Sequence, residues 1–497
     1  MANAPGDNLD PTDEINLSTV KERAVKGVVV LTGRTFFLSI ISLVATGLLT
    51  VFLDPSEFGI FWIVSAVVNF LAYFSDVGLA AALIQKKESP TKDDYRTTFL
   101  VQQILVLTLL ALIFIGTPYI IKIYNLSEAG KVLLWSLGLS LFFSSLKTIP
   151  SIMLERRLEF NKLVIPQIVE NLIYNLVAVF LAWKGFGLTS FTIAILLRSI
   201  VGLVIIYILQ PWLPWFALSK ASLKKLLTYG VPYQANTLLA TLKDDAMTAF
   251  LGTSLGSAGV GFLGWAQKWG QSPLRFFMDH VLKVTFPAFA RMQDNKEELR
   301  NFLTRSIFFI CILVFPSIIG LVVVAPILVQ IIPKYAKWAP ALLPLALVAI
   351  NTIFAAVTTQ LTNLLNAIGQ IKTTFKLMVM WTVLTWLLVP FAAIRYGVVG
   401  VAAAYSIIGA SSLIAIYIVR RKVYFSLIDS AGKPLAGAAL MGVFVWVLRN
   451  YLPVSISSVI ILISSGLLVY LGSMFLIVGS GFIQDIKKSF RTLMARK

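Results

Sequence analysis

The chain has 497 residues, of which 58% are hydrophobic and 13% are charged, and its mean hydropathy is +0.85. This composition excludes a soluble globular domain and is typical of an integral membrane protein. The single histidine, His280, and the single cysteine, Cys311, exclude a metal site built from several histidines and a disulfide framework. We expect neither a metal nor a cofactor.

Residues 1–27 precede the first long apolar run, and the first twenty of them are polar and acidic. They lack the basic start and short apolar core of a signal peptide, so we interpret them as a cytosolic tail. Apolar runs of about 20 residues, the length that crosses a bilayer, then recur along the chain. They predict fourteen transmembrane spans, at 28–53, 57–84, 95–118, 132–153, 161–183, 188–209, 226–251, 258–286, 303–329, 340–365, 375–394, 398–419, 434–452 and 456–482.

The basic residues orient these spans. With a cytosolic N-terminus, the cytosolic segments contain 28 of the 42 lysine and arginine residues and the outer loops contain 7. Because lysine and arginine favour the cytosolic side, both termini are predicted to be cytosolic. The net charge of +19 is then mainly a signal of topology, and no nucleic-acid partner is expected.

Two joints in the first half of the chain have counterparts in the second. The joint "FLDPSEFGIFW" between spans 1 and 2 matches "FLGTSLGSAGVGFLGW" between spans 7 and 8. The joint "AWKGFGLTSFTIA" between spans 5 and 6 matches "AAIRYGVVGVAAA" between spans 11 and 12. A parallel repeat of this kind is a common transporter plan, with the substrate site between the halves. We therefore predict an all-α membrane protein with two six-helix lobes, 28–215 and 216–425, in a parallel pseudo-two-fold repeat. Residues 426–497 add two C-terminal helices and a basic cytosolic tail.

Four phrases resemble the Wzx-type polysaccharide flippases of the multidrug/oligosaccharidyl-lipid/polysaccharide (MOP) superfamily. They are "FGIFWIVSAVVNFLAYFSDVGLAAALIQKK", "SIMLERRLEFNKL", "FLGTSLGSAGVGFLGWAQKWGQSPLRFF" and "FPAFARMQDNKEELRN". The resemblance implies lobes around a central cavity and a location in a prokaryotic cytoplasmic (inner) membrane. It also implies a polyprenyl-diphosphate-linked oligosaccharide as substrate, moved to the outer leaflet by an ion gradient or membrane potential. The sequence contains no Walker-type phosphate-binding motif, which agrees with such a drive.

Charged side chains inside a bilayer are costly, so we expect them to face a cavity or a partner. Twelve lie inside the predicted spans: Arg34, Lys147, Arg198, Lys243, Lys268, Arg275 and Lys283, with Asp76, Glu170, Asp244, Asp245 and Asp279.

Depth in the membrane suggests two pairs among them. Arg34 is nearly level with Asp76, and Glu170 is nearly level with Arg198, so each pair is a candidate ion pair that fixes helix packing. The resemblance implies a cavity-facing role for Arg34, and Asp76 is a candidate for the same cavity. Glu170, Arg198 and Lys147 remain candidates for either an ion pair or the cavity.

Span 8 carries a polar stripe. Lys268, Arg275 and Asp279 are spaced i, i+7 and i+11, which places them within an arc of ~40° on a helix. A row of cations on one helix face suits the passage of a diphosphate group, and we assign all three residues to the substrate cavity. The alternative is a purely structural stripe. Trp265 and Trp269 lie among these charges and are expected to pack between helices, although stacking on sugar rings is the alternative.

Span 7 contains the triplet Lys243-Asp244-Asp245. On an α-helical wheel Asp244 and Asp245 extend a polar stripe, and Lys243 lies on the opposite side. We assign the two aspartates to the cavity, where they could bind a coupling cation such as Na⁺ or H⁺. Lys243 is expected to contact a neighbouring helix.

Three classes of protein were compared. A membrane glycosyltransferase or other enzyme needs a sizeable loop with catalytic groups, whereas the loops here are short. A multidrug or organic cation antiporter needs a cavity rich in carboxylates, whereas the charges here are net positive. A lipid-linked saccharide flippase agrees best with the sequence; a lipid II flippase, which also has fourteen helices, is the near alternative. We expect a monomer in the lipid bilayer.

Overall fold

A computed structural model of the chain describes residues 17–86 and 88–479, and it describes side chains from residue 33 onward except those of residues 233 and 235–237. Within these ranges it contains helices and no strand. The helices of the first half are α1 (Leu17–Phe52), α2 (Pro55–Ala72), α3 (Leu79–Gln85), α4 (Lys92–Tyr124), α5 (Glu128–Leu146), α6 (Thr148–Arg156), α7 (Phe160–Trp183), α8 (Thr189–Leu209) and α9 (Lys220–Thr241). Those of the second half are α10 (Met247–Arg291), α11 (Lys296–Ile331), α12 (Leu342–Ala367), α13 (Ile371–Ala410), α14 (Ser412–Lys422), α15 (Lys433–Arg449) and α16 (Ile456–Val478).

The predicted N-terminal tail overlaps the first helix. Helix α1 begins at Leu17, so residues 17–27 are helical. Residues 1–16 of the predicted tail, and the basic C-terminal tail from residue 480, lie outside the described residues.

Twelve segments of the described chain are long and apolar enough to cross a membrane. Two of them, Leu238–Arg291 and Ile371–Lys422, have 54 and 52 residues, more than twice the ~20 that a bilayer needs. Each contains a glycine with non-helical backbone angles, Gly256 (φ 68°, ψ 177°) and Gly397 (φ 59°, ψ −147°). These glycines lie at the predicted joints between spans 7 and 8 and between spans 11 and 12. The all-helical membrane fold is confirmed, and the count of fourteen spans stays a prediction.

Two predicted spans are not continuous helices. In span 2, α2 is followed by a 3₁₀ turn and by Val77 and Gly78, whose φ angles are 50° and 76°, before α3 begins. In span 4, α5 gives way to α6 at Lys147. Both breaks occur beside a charged residue, Asp76 or Lys147. Hydropathy does not predict these breaks, because they depend on the contacts of the two side chains described below.

The chain divides into two compact units, Met1–Gly261 and Phe262–Lys497. In the first unit α1 packs on α7, α7 on α8, α5 on α4 and α8, and α3 on α9. The helix of predicted span 7 thus belongs to this unit, although the predicted lobe boundary lies earlier, at residues 215–216. A buried cluster holds the ends of α3, α4, α6 and α9 together; it contains Leu79, Leu83, Tyr95, Phe99, Ile152, Met153 and Leu226.

In the second unit α11 packs on α12 and α15, α12 on α13, and α15 on α16. Its core lies along α11 and includes Cys311, Phe315 and Leu361, each at most 1% exposed. The only cysteine of the chain is therefore a packing residue of this core.

Candidate functional site

A polar seam joins α1 to α7 in the first unit. A guanidinium N–H of Arg34 donates to Oε1 of Gln167, and Asn171 Nδ2 donates to Ser42 Oγ at 3.2 Å. One turn further along α7, Asn175 Nδ2 donates to Asn171 Oδ1 at 3.0 Å. Hydrogen-bonded polar groups of this kind are found between transmembrane helices, where lipid offers no partner.

Arg34 and Asp76 do not form the predicted pair. Among the described residues no ion pair joins them: Arg34 bonds to Gln167, and the Asp76 carboxylate accepts the backbone N–H of Ala80 at 3.1 Å and 3.2 Å. Asp76 therefore caps the first turn of α3, whose N–H groups have no partner within the helix. A similar predicted depth in the membrane was therefore not sufficient to identify a pair.

The predicted partner of Glu170 is also different. Lys147 Nζ lies 2.6 Å from Glu170 Oε1, and their side chains are 17% and 22% exposed. Arg198 instead lies over the ring of Tyr174, with its guanidinium carbon 4.8 Å from the ring centroid. Gly202 of α8 makes room for the pair, because a Cβ at that position would overlap the Glu170 carboxylate. Glu170 pairs with Lys147 and not with Arg198, because the break between α5 and α6 directs the Lys147 side chain toward α7.

The triplet Lys243-Asp244-Asp245 lies in a π-helical turn, Leu242–Ala246, between α9 and α10. Lys243 Nζ is 3.1 Å from Asp244 Oδ1, and Asp245 accepts a hydrogen bond from Asn69 of α2. The expectation that Lys243 lies opposite Asp244 is therefore wrong. A π-turn bonds residues i and i+5, so the 100° step of an α-helical wheel does not apply to it. The aspartates separate, with Asp244 toward Lys243 and Asp245 toward α2.

Glycines bring α2 and α3 against the segment α9–α10. At one end a Cβ on Gly230 would lie 2.8 Å from the carbonyl oxygen of Gly78. At the other end a Cβ on Gly59 would overlap the carbonyl oxygen of Ser257, and one on Gly261 would overlap that of Pro55. The Asn69–Asp245 bond lies between these two contacts along the chain. Predicted spans 2 and 7 thus meet backbone to backbone, as small residues allow in membranes.

In the second unit the stripe of α10 is open. Lys268, Arg275, Asp279 and Lys283 are all exposed, and Arg275 Nη2 donates to Gln271 Oε1 at 3.4 Å. Among the described residues, no carboxylate forms an ion pair with Lys268 or Arg275.

Side chains of α10 next to this stripe are packed. Trp265 is 3% exposed, stacks on Trp338 with ring centroids 5.7 Å apart and donates its N–H to the hydroxyl of Tyr335 at 3.3 Å. Its interpretation as a packing residue holds, because a ring buried in this way presents no face to a sugar. His280 Nδ1 bonds to the carbonyl of Phe276 at 3.0 Å.

Sequence reasoning missed the uncharged members of these clusters, Gln167, Asn171, Asn175 and Asn69. Three of them stand at a regular spacing of four residues on α7, which is a polar stripe visible in the sequence. Charges alone do not reveal this stripe, because its three members are uncharged amides. Among the described residues no group of three histidine, cysteine, aspartate or glutamate side chains could hold a metal ion.

The comparisons with known proteins identify the family. The profile of the polysaccharide biosynthesis protein family matches residues 48–343. The chain is 23% identical over 390 residues to the succinoglycan biosynthesis transport protein ExoT of Rhizobium meliloti (strain 1021), covering 78% of this chain and 76% of that protein. It is 22% identical over 417 residues to the lipopolysaccharide biosynthesis protein WzxC of Escherichia coli (strain K12), covering 81% and 82%.

Solved structures agree on the fold. The lipid II flippase MurJ in an inward closed conformation matches with a TM-score of 0.75 at 18% identity, covering 92% of this chain and 99% of that one. An inward-facing multidrug resistance MATE family transporter of the MOP superfamily matches with a TM-score of 0.58 at 17% identity, covering 78% and 94%.

The chain therefore belongs to the polysaccharide biosynthesis protein family, and its resemblance to the Wzx-type proteins of the MOP superfamily is confirmed. It is a multi-pass bacterial membrane protein with the fold of that superfamily. Its named relatives are transport and biosynthesis proteins of polysaccharides, which favours a transporter over the membrane enzyme considered above.

Proposed function

We propose that this protein flips a polyprenyl-diphosphate-linked oligosaccharide from the cytosolic to the outer leaflet of the cytoplasmic (inner) membrane. The observation that carries the proposal is the exposed row of Lys268 and Arg275 on α10. Charges in a membrane-crossing helix are stable only where water or a polar ligand reaches them. Two cations two turns apart provide a point charge and a bidentate donor for a diphosphate.

The first unit supplies further polar surface. Arg34 is held by Gln167 at the seam of α1 and α7, which keeps one guanidinium N–H engaged and orients the rest of the group. In this proposal Arg34, Lys268 and Arg275 attract the diphosphate to a cationic central cavity. The polyprenyl tail stays in lipid while alternating access moves the head group across.

The proposed architecture has fourteen spans, two six-helix lobes with two additional C-terminal helices, and both termini in the cytosol. The breaks at Gly256 and Gly397 support this count, because each divides a segment of more than 50 residues. The drive is an ion gradient or the membrane potential. Of the two candidates for a coupling cation, Asp245 is favoured, because its named partner is the uncharged Asn69 whereas Asp244 lies 3.1 Å from Lys243 Nζ.

Reconstituted liposomes test the proposal. Flipping of a fluorescent polyprenyl-diphosphate oligosaccharide is measured for the unaltered chain and for Lys268→Ala and Arg275→Ala. We expect each variant to lose roughly tenfold or more in initial rate, the effect of one charge-assisted hydrogen bond. Lys296→Ala, an exposed cation at the start of α11, is the matched control. Unchanged flipping in both α10 variants contradicts the cavity assignment, and transport of an organic cation instead favours the antiporter alternative.

A further inference from the structure

The connection between α8 and α9 presents four large apolar side chains to the outside. Leu213, Trp215, Phe216 and Leu218 are 82%, 60%, 62% and 56% exposed. They do not belong to a membrane-crossing helix, because α8 ends at Leu209 and α9 begins at Lys220. Their exposure thus needs an explanation other than the lipid contact of a transmembrane helix.

This connection, which we call the 210–219 linker, is fixed at both ends. Arg157 Nη1 donates to Gln210 Oε1 at 3.1 Å, and the backbone N–H of Ser219 donates to Thr97 Oγ1 at 2.9 Å. Between them Trp212 packs edge-on against Phe99 of α4, with ring centroids 4.9 Å apart.

The inward side of the linker is therefore occupied, and its apolar outer side cannot turn into the core. Pro211 and Pro214 restrict the backbone further, since proline fixes φ near −65°. The outer side is a stable surface of the folded protein.

Three lysines continue this surface onto α9. Lys220, Lys224 and Lys225 are exposed, whereas Leu226 of the same turns is buried in the cluster around Phe99. Among the described residues, no ion pair involves any of the three lysines. The surface therefore combines exposed apolar side chains with three uncompensated positive charges.

The contacts of the linker show where it lies along the helix axes. It contacts the first turns of α4 through Thr97 and Phe99 and the residue that follows α6 through Arg157. These are helix ends, so the linker lies at the end of the bundle and not at its middle. Tryptophan beside lysine at that level is the combination that membrane interfaces favour.

We propose that the 210–219 linker and Lys220, Lys224 and Lys225 form a membrane anchor that binds anionic phospholipid head groups. Trp215 and its apolar neighbours enter the head-group region, and the lysines contact the phosphates. The proposed topology makes this the cytosolic leaflet; the binding itself does not depend on transport. A neutral lipid surface would leave the three lysines without counter-charges, which is why the partner is anionic.

A fluorescent label at position 213 tests the anchor. The Leu213→Cys variant is labelled with an environment-sensitive fluorophore and placed in nanodiscs of phosphatidylcholine with increasing fractions of phosphatidylglycerol. The unaltered chain is the labelling blank, because its one cysteine, Cys311, is 0% exposed. We expect a blue shift of the emission that saturates with phosphatidylglycerol, and quenching by lipids that carry a quencher near the head group.

The charge contribution is measured with Lys220→Gln/Lys224→Gln/Lys225→Gln in the labelled variant. We expect it to need about tenfold more phosphatidylglycerol for the same shift, since each lysine near an anionic surface contributes to binding. The control Lys296→Gln/Lys372→Gln/Lys376→Gln removes the same charge from exposed positions of the second unit and should leave the response unchanged.

Two outcomes overturn the proposal. The first is emission typical of water at every lipid composition, or a shift that the lysine substitutions on α9 do not alter. The second is a shift that follows the number of protein molecules per disc and not the phosphatidylglycerol fraction, which assigns the surface to a second copy of the chain. Either result leaves flipping by the Lys268 and Arg275 stripe untouched, so the two proposals fail separately.

Discussion

Gly78 and Gly230 meet through their backbones. A Cβ on Gly230 would lie 2.8 Å from the carbonyl oxygen of Gly78, and Gly78 has a φ of 76° that side chains rarely adopt. The break in predicted span 2 therefore fits against α9 through two residues that have no side chain. Close approach without side chains is a known way to pack helices in lipid.

Substitution of Gly230 tests this contact. Gly230→Ala should lower the free energy of unfolding by about 1–3 kcal/mol, the usual result of forcing a methyl group into a filled space. Gly78→Ala should cost more, because the left-handed backbone adds strain. Thermal unfolding in detergent measures both. Gly472→Ala on α16 is the control, since nothing lies within 4 Å of its added methyl group; equal melting temperatures for the Gly230 and Gly472 variants contradict the contact.

The Lys147–Glu170 pair predicts a non-additive effect. Glu170→Gln leaves Lys147 charged among helices with no carboxylate at 2.6 Å, which should cost about 3–5 kcal/mol of stability. The double variant Lys147→Met/Glu170→Gln removes both charges and should regain most of that loss. Thermal unfolding of the two single variants and the double variant gives the coupling free energy.

An exposed pair on α5 serves as the comparison. Lys131 Nζ and Glu128 Oε2 are 3.2 Å apart, but their side chains are 27% and 83% exposed. Glu128→Gln should therefore change the free energy of unfolding by less than about 1 kcal/mol. If Glu170→Gln were equally mild, Lys147 would have another source of solvation and the pair would not organise α5, α6 and α7.

The π-turn predicts different roles for its two aspartates. Asp245→Asn keeps a hydrogen-bonding partner for Asn69 and removes the charge, so thermal stability should stay within about 1 kcal/mol while flipping falls. Asp245→Leu removes the charge and the hydrogen-bonding group together, so both thermal stability and flipping should fall. Asp244 is 67% exposed in its pair with Lys243, so Asp244→Asn and Lys243→Met should have small effects on stability.

Flipping and thermal unfolding are measured on the same preparations. The assignment of different roles is contradicted if Asp244→Asn is stable and well expressed but does not flip, while Asp245→Asn retains full activity. A loss of flipping in Lys243→Met at unchanged stability would also assign the lysine a role in transport that its partner Asp244 must then share.

The sequence by itself determined the class of the protein, because membrane insertion depends on quantities that are additive along the chain. The length and hydropathy of successive segments predicted an all-helical membrane protein, and the gaps between apolar runs placed joints around Gly256 and Gly397. The polar stripe of α10 followed from helical periodicity, which needs no knowledge of other helices. The resemblance of four phrases to Wzx-type proteins agreed with the family profile over residues 48–343.

Only the tertiary structure decided which polar groups meet. Depth in the membrane gave Arg34–Asp76 and Glu170–Arg198, whereas the observed partners are Arg34–Gln167 and Lys147–Glu170. The difference has a physical cause: a hydrogen bond requires atoms within about 3 Å, and that distance depends on helix neighbours, rotation and local breaks. The break at Asp76, the change of helix at Lys147 and the π-turn at Leu242–Ala246 each interrupt the regular 100° rotation per residue of an α-helix. Such changes leave hydropathy unaltered and redirect every side chain that follows.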